Sequence, residues 1–373
     1  MRKTLQCLLS ILCVAFFCAA ASAEPPAVAA RGNPYKAAVV HRTFPVGKPY
    51  DWRGSKAHEL SVLVWYPSHA SVEEQPQWVG SPGKPIFSAG KAIPDGALAS
   101  SPSRFPLILL SHGTGGSAQQ MAWLGTVLAA HGYIAAAVNH PGNNALESYT
   151  ARGFSTWWER ARDLTTVADA LLQDPTFATR IDTERIGAAG FSLGGYTMIE
   201  IAGGITYPDA FTAFCNSPAA DDICKSPPEF PTLIEDFHKL SASDPEFQSS
   251  LAHSQDSYRD PRVRAVFAIA PALGPVFHPA DLAKISIPVQ IVAGTADTNV
   301  PLESSAKYFA ANIPHAKLTI YPGAAHYTFL DVCTDAGRRA LPLVCADGPG
   351  INRAAVHEKA ANLAVEFFDS NLR

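Results

Sequence analysis

Residues 185–195 read RIGAAGFSLGG. An apolar approach runs into Gly190, then Phe191, Ser192, Leu193 and Gly194. The spacing is G-x-S-x-G, and it falls where a predicted strand meets a predicted helix. A tight turn there forces the Ser192 backbone into a sparsely populated conformation. Glycines on either side lack the β-carbons that would collide with the flanking strand and helix. A serine in such a turn projects with its hydroxyl free. The Leu193 N–H stands at a helix start, where donors are unpaired and the dipole favours an anion.

A serine hydroxyl needs a base, and the base needs an orienting carboxylate. IVAGTADTNVP (291–301) puts Asp297 just past a buried strand, and GAAHYTFLD (323–331) puts His326 in the loop after the next one. The chain order is Ser192, Asp297, His326. All three fall at the carboxyl ends of predicted strands, where open α/β sheets place their sites. A second oxyanion donor is expected from LLSHGTGGS (109–117), with the Thr114 N–H as the choice beside that of Leu193. His112 in that loop reads as structural, bonding to the loop backbone. His140 and Asn143 in VNHPGNN (138–144), with Phe191 and Tyr327, are the candidates for lining a substrate pocket. Trp157 and Trp158 read as core or cap contacts.

Outward from this centre the pattern is uniform. FPLILLS (105–111), YIAAAVN (133–139), RIGAAGF (185–191), RAVFAIAP (264–271), IPVQIVAG (287–294) and KLTIYPG (317–323) read as strands, most of them apolar enough to be buried on both faces. Helical stretches alternate with them at 118–132, 156–174, from 193, near 302–312 and near 352–370. The alternation predicts an α/β fold: a mostly parallel, doubly wound sheet with helices on both faces. It breaks at about 205–262, which reads as an inserted cap, and again at about 327–350. Residues 60–67 predict an earlier strand. Residues 24–58 read as a surface arm and 68–104 as a long loop region.

The first 23 residues combine a basic start at Arg2 and Lys3, an apolar run, and Ala21-Ser22-Ala23 before Glu24, the pattern of a secretory signal peptide. The rival is an uncleaved anchor. A lipoprotein signal is disfavoured, since no small residue precedes Cys13 or Cys18. Export to the periplasm or outside the cell is therefore expected, with one domain over 24–373 and no stable membrane insertion once the signal is removed. The remaining chain carries 27 basic against 33 acidic residues and no basic run, which argues against nucleic acid as a partner. Cys215, Cys224, Cys333 and Cys345 allow three pairings. The local one, Cys215–Cys224 with Cys333–Cys345, closes the shortest loops. No C-x-x-C or H-x-x-x-H spacing supports a metal site.

PLILLSHGTGGS (106–117), LAAHGYIAAAVNHPG (128–142) and the segments around Ser192, Asp297 and His326 together resemble the α/β-hydrolases. Within them, the chain is similar to dienelactone-hydrolase-like proteins and to the secreted platelet-activating-factor acetylhydrolase group. The resemblance implies a Ser192–His326–Asp297 triad, Thr114 and Leu193 as oxyanion donors, and no cofactor. Two departures matter. Dienelactone hydrolases carry a cysteine nucleophile, so their lactone substrate does not transfer. The acetylhydrolases place their acid after an earlier strand, which here ends FAIAPALGP (267–275) with no carboxylate. The expectation is an exported serine hydrolase of small-molecule carboxylic esters, with a serine peptidase or amidase on the same fold, or a non-catalytic binding module, as alternatives. The natural substrate and the oligomeric state are not readable.

Overall fold

The computed structural model describes residues 34–47 and 50–372; the expected signal peptide lies outside them. The order of elements follows the apolar runs. Among the described residues eleven strands form one mixed sheet. They are β1 (Lys36–Pro45), β2 (Glu59–Ser68), β3 (Gln75–Ser81), β4 (Lys84–Pro94), β5 (Phe105–Ser111), β6 (Ile134–Val138), β7 (Ile181–Phe191), β8 (Val263–Ile269), β9 (Val289–Gly294), β10 (Ala316–Tyr321) and β11 (Val332–Cys333). Their order across the sheet is β10-β9-β8-β7-β5-β6-β2-β1-β4-β11, with β3 paired to β4. From β10 to β6 every pair is parallel. The β6–β2 and β2–β1 pairs are antiparallel.

The parallel strands are apolar throughout because both faces are covered. On β5, Leu107 and Leu109 belong to one core and Ile108 and Leu110 to the other. Helices Glu159–Leu171 and Leu193–Ile201 supply the first core, and helices Ala122–Ala130 and Arg353–Asn371 the second. Each core is continuous, so the sheet is a rigid platform whose carboxyl edge carries the loops.

Two stretches differ from expectation. The arm at 24–58 contains a full strand, β1, which pairs with β2 over ten residues from Lys36↔Ser68 to Pro45↔Glu59. The loop region at 68–104 contains the β3–β4 hairpin, turning at Pro82-Gly83. Its prolines and glycines are punctuation between strands, and β3 is polar because it stands exposed beside β4. The stretch at 205–262 is helical, with Pro208–Cys215, Leu233–Ser243 and Pro245–Ala252. The local pairing of cysteines is the one formed: Cys215–Cys224 and Cys333–Cys345. Among the described residues no helix is long and apolar enough to cross a membrane.

One glycine admits a large ring into the core. A β-carbon on Gly125 would lie 2.5 Å from Cε3 of the fully buried Trp65, in the contact between helix Ala122–Ala130 and β2. The ring is pinned by its N–H donating to Gln77 Oε1 at 3.0 Å. Gly125→Ala is expected to destabilise the fold by about 2 kcal/mol through overpacking, seen as a lower urea midpoint at unchanged m-value.

Candidate active site

The register of the sheet brings the ends of its central strands level. Ser111, the last residue of β5, pairs with Val138 at the end of β6 and with Gly190 near the end of β7. Tyr321 closes β10 opposite Gly294 at the end of β9. The loops leaving these ends meet over one edge.

Ser192 sits in the turn after β7 with φ +57° and ψ −117°. Such a φ strains any residue with a β-carbon. The surroundings hold it there: the Ser192 N–H donates to the Ile269 carbonyl at 2.8 Å, and its own carbonyl accepts from Ala272 N–H at 3.2 Å. The glycines answer to close backbone contacts. A β-carbon on Gly190 would lie 2.3 Å from the Gly194 carbonyl oxygen, and one on Gly194 would lie 2.0 Å from the Ser111 carbonyl oxygen.

The three distant side chains come together. His326 Nε2 is 2.9 Å from Ser192 Oγ, and His326 Nδ1 is 2.7 Å from Asp297 Oδ2. The other Asp297 oxygen accepts the Asn299 and Val300 N–H groups at 3.0 and 2.7 Å. With the carboxylate so held, Nδ1 carries the proton and Nε2 is left to accept from the serine hydroxyl. All three are shielded from water, at 7% (Ser192), 8% (Asp297) and 6% (His326) exposed, but not sealed from it. The Phe191 ring packs at 4.9 Å from the imidazole.

Thr114 and Leu193 lie with Ser192 and His326 on the wall of one cavity of about 980 Å³. Neither backbone N–H donates to another described residue. Phe191 and Tyr327 also line this cavity. Much of the rest of the wall is apolar, from Phe154 and Trp157 on the sheet side to Phe211, Ile223, Leu233 and Phe237 on the inserted stretch. Trp157 bridges the two, meeting Phe211 at 5.8 Å and Phe237 at 6.2 Å. Phe230 stacks on Phe154 at 4.6 Å.

His140 and Asn143 are corrections: neither reaches the cavity. Both are buried behind it and hold loops in place. Asn143 Oδ1 accepts the Gly115 N–H at 2.7 Å, and its amide donates to the Gly153 carbonyl at 3.2 Å. His140 Nδ1 donates to Asp163 Oδ2 at 2.7 Å, and Nε2 accepts from Ser111 Oγ at 2.9 Å. A polar turn that follows a buried strand is itself buried here, so its side chains satisfy neighbouring protein groups rather than a ligand. His112 does the same: Nδ1 donates to the Gly113 carbonyl at 2.7 Å and Nε2 accepts the His140 N–H at 3.2 Å.

Several residues around the site were not singled out from sequence. Glu229, on the inserted stretch, accepts the Tyr327 hydroxyl at 3.1 Å, and Asn299 donates to that same hydroxyl at 3.1 Å. Arg53, Arg160 and Asp163 form a buried charged cluster under the 112–117 loop. Asp163 accepts both Arg53 Nη2 contacts at 2.8 Å and also a Tyr50 hydroxyl contact. Burial alone would raise Asp163, but the Arg53 guanidinium and the His140 N–H overcome it and hold the carboxyl to about 2. Helix spacing was the only signal available, since Arg160 and Asp163 lie three residues apart on one face. Among the described residues no cluster of three or more His, Cys, Asp or Glu is placed to hold a metal ion.

Burial, then the Arg160 charge, pushes His140 down to about 3. Burial pushes His357 to about 4 and takes His112 well below its ordinary range. Each of these imidazoles is neutral in the folded protein and titrates near 6.5 once unfolded. Between those limits the unfolded chain binds more protons at these three sites, so their contribution to stability is full above about pH 6.5 and falls as pH drops toward 4, while Glu200 and Asp331, both raised by burial, act in the opposite sense. The expected result is that the Tm advantage of wild type over His357→Gln shrinks between about pH 7 and pH 4. An advantage that stays constant over that interval contradicts it.

Residues 103–332 match the family model described as Hydrolase_4, serine aminopeptidase, S33. Among solved structures, the chain is similar to a ferulic acid esterase from Streptomyces cinnamoneus, with 22% identity, a TM-score of 0.62 and 93% of each chain covered. A comparison with curated proteins finds no match. At that identity the structural likeness speaks for the fold, while the family match spans more than half of the sequence. The chain belongs to the serine aminopeptidase S33 family and has the α/β-hydrolase fold.

Proposed function

We propose that this protein is an exported serine hydrolase that cleaves carboxylic esters through an acyl-enzyme. The observation that carries the reading is the continuous hydrogen-bonded line from Ser192 Oγ through His326 to Asp297, with contacts of 2.9 and 2.7 Å. His326 takes the Ser192 proton as the hydroxyl attacks the ester carbonyl. Asp297 keeps the imidazole in the productive tautomer and stabilises its cation. The Thr114 and Leu193 amides receive the oxyanion. His326 then returns its proton to the leaving alcohol, and a water repeats the cycle to release the acid. No step requires a metal or an organic cofactor.

The cavity supports an apolar acyl or alcohol group. Its volume, about 980 Å³, is at the upper end for sites that enclose a drug-sized molecule. Aromatic rings from the body and from 205–262 line it together and pack on one another, so we assign 205–262 the role of a cap that selects by size and shape. The likeness to a ferulic acid esterase puts aryl esters on the test panel beside short alkyl esters. The family description makes peptide substrates the alternative. Export rests on the N-terminal pattern and is supported by the two disulfides.

Wild-type protein is expected to hydrolyse p-nitrophenyl and aryl-acid esters. Ser192→Ala should reduce kcat by about 10⁴-fold or more, and Asp297→Asn by about 10⁴-fold with a much smaller change in KM. Cleavage confined to peptide anilides selects the peptidase instead. If no substrate turns over and an organophosphate fails to label Ser192, the catalytic reading is wrong.

A further inference from the structure

The two amides assigned to the oxyanion stand on separate pieces of chain. Thr114 is in the loop after β5, and Leu193 opens the helix after β7. Stabilising a tetrahedral oxygen requires donors within about 0.3 Å of their ideal reach, so something must fix the distance between the two pieces. Backbone pairing of β5 with β7 stops at Ser111↔Gly190. Beyond that point the Gly194 backbone packs directly on the Ser111 and His112 carbonyls, and directional hydrogen bonds between the pieces come from side chains.

Among the described residues one side chain hydrogen-bonds to both pieces. Arg160, on helix Glu159–Leu171, is 1% exposed. Its Nη2 donates to the His112 carbonyl, two residues before Thr114, and to Ser111 Oγ at 3.3 Å. Its Nε donates to Thr197 Oγ1 at 3.4 Å, and the Thr197 hydroxyl donates to the Leu193 carbonyl at 3.0 Å. The guanidinium thus spans from the base of the Thr114 loop to the first turn of the Leu193 helix. The balancing carboxylate, Asp163, is held aside by Arg53, His140 and Tyr50. Arg160 is therefore left to bond neutral oxygens of the two pieces, where a charged donor makes the stronger bond. Its Nη1 has no hydrogen-bond partner among the described residues. A buried, incompletely satisfied cation weakens the fold, so its contribution is sought in geometry.

We infer that Arg160 is a positioning residue which, through His112 and Thr197, sets the separation of the Thr114 and Leu193 amide donors. This rests on the ester-hydrolase reading. The planar fork is essential to it: a lysine carries charge to the same place but offers one nitrogen and cannot tie two segments at fixed distance.

The test compares wild type, Arg160→Lys, Arg160→Gln, Thr197→Val and Ser192→Ala on p-nitrophenyl acetate. Two ligands accompany it: an aryl trifluoromethyl ketone, whose adduct with Ser192 places an oxyanion between the donors, and the matching methyl ketone, which binds without one. Arg160→Lys should lose about 100-fold in kcat, in line with the removal of one oxyanion donor, with KM changed less than about 3-fold. Its trifluoromethyl ketone affinity should fall in step with kcat/KM while methyl ketone affinity stays. Thr197→Val should follow the same pattern at about 10-fold. Should Arg160→Gln fail to fold, Arg160→Lys and Thr197→Val decide. Unchanged kcat in both overturns the inference, as does a loss shared equally by both ketones and by the folded fraction. A wild type that turns over no ester, or a Ser192→Ala variant as active as wild type, sinks the ester-hydrolase reading itself. Wild-type turnover abolished in Ser192→Ala, with Arg160→Lys unaffected, sinks only the inference.

Discussion

The close approach of the Ser111 carbonyl to Cα of Gly194 is the constraint on which the rest of the molecule depends. A β-carbon at residue 194 would overlap that oxygen at 2.0 Å. This contact exists because β5 and β7 are neighbours in register, with Ser111 opposite Gly190. It draws the start of the helix Leu193–Ile201 over the end of β5. The serine between strand and helix is thereby forced to φ +57°. Strain of that kind costs on the order of 1–3 kcal/mol and persists only where the surroundings over-determine it. Here the hydrogen bonds to Ile269 and from Ala272 tie the turn to β8 as well.

From this turn the order of strands delivers the partners. The β8, β9 and β10 strands follow β7 across the sheet, so loops far apart in the chain leave from neighbouring strands. Asp297 is locked by two backbone N–H groups and His326 by Asp297. A rigid platform with locked loops keeps an imidazole within hydrogen-bond reach of a hydroxyl without reorganisation during reaction. On the other side of Ser192, the buried cluster of Arg53, Arg160, Asp163 and His140 holds the β5 and β6 loops. Replacing such a cluster by apolar residues of similar volume is often neutral or stabilising in proteins. Its presence here goes with the demand for a set of loop geometries that hydrophobic contact, being non-directional, does not specify.

The inserted stretch uses a different physics. At the cavity it meets the body through rings, Phe230 on Phe154 and Phe211 and Phe237 around Trp157; away from the cavity Ser250 accepts the Trp158 N–H and donates to Glu159, and Arg152 pairs with Asp244 and Glu246. One polar contact, Glu229 with the Tyr327 hydroxyl, reaches the residue beside His326. Cys215–Cys224 staples part of this stretch, both cysteines lying on the cavity wall. Apolar contact tolerates variation in shape, while the triad does not. Around the cavity the molecule separates the two requirements, with precise hydrogen bonding at the sheet edge and adaptable ring packing above it.

The residues themselves determined the α/β alternation, the turn at Ser192 and the placing of Asp297 and His326 in loops at strand ends. Buried parallel strands must be apolar, strained turns must be flanked by glycine, and loops at strand ends must be polar. Those are local rules, and a one-dimensional reading can apply them. β1 and the β3–β4 hairpin escaped because half-exposed strands among prolines and glycines lack the continuous apolar run. His140 and Asn143 look from sequence like any polar turn open to a ligand; their burial is decided by what packs over them. Nothing in the sequence singles out Arg160 and Asp163, three residues apart on helix Glu159–Leu171. Only the tertiary structure turns that face inward, because the sheet end it covers offers carbonyl, hydroxyl and imidazole groups that a charged fork satisfies.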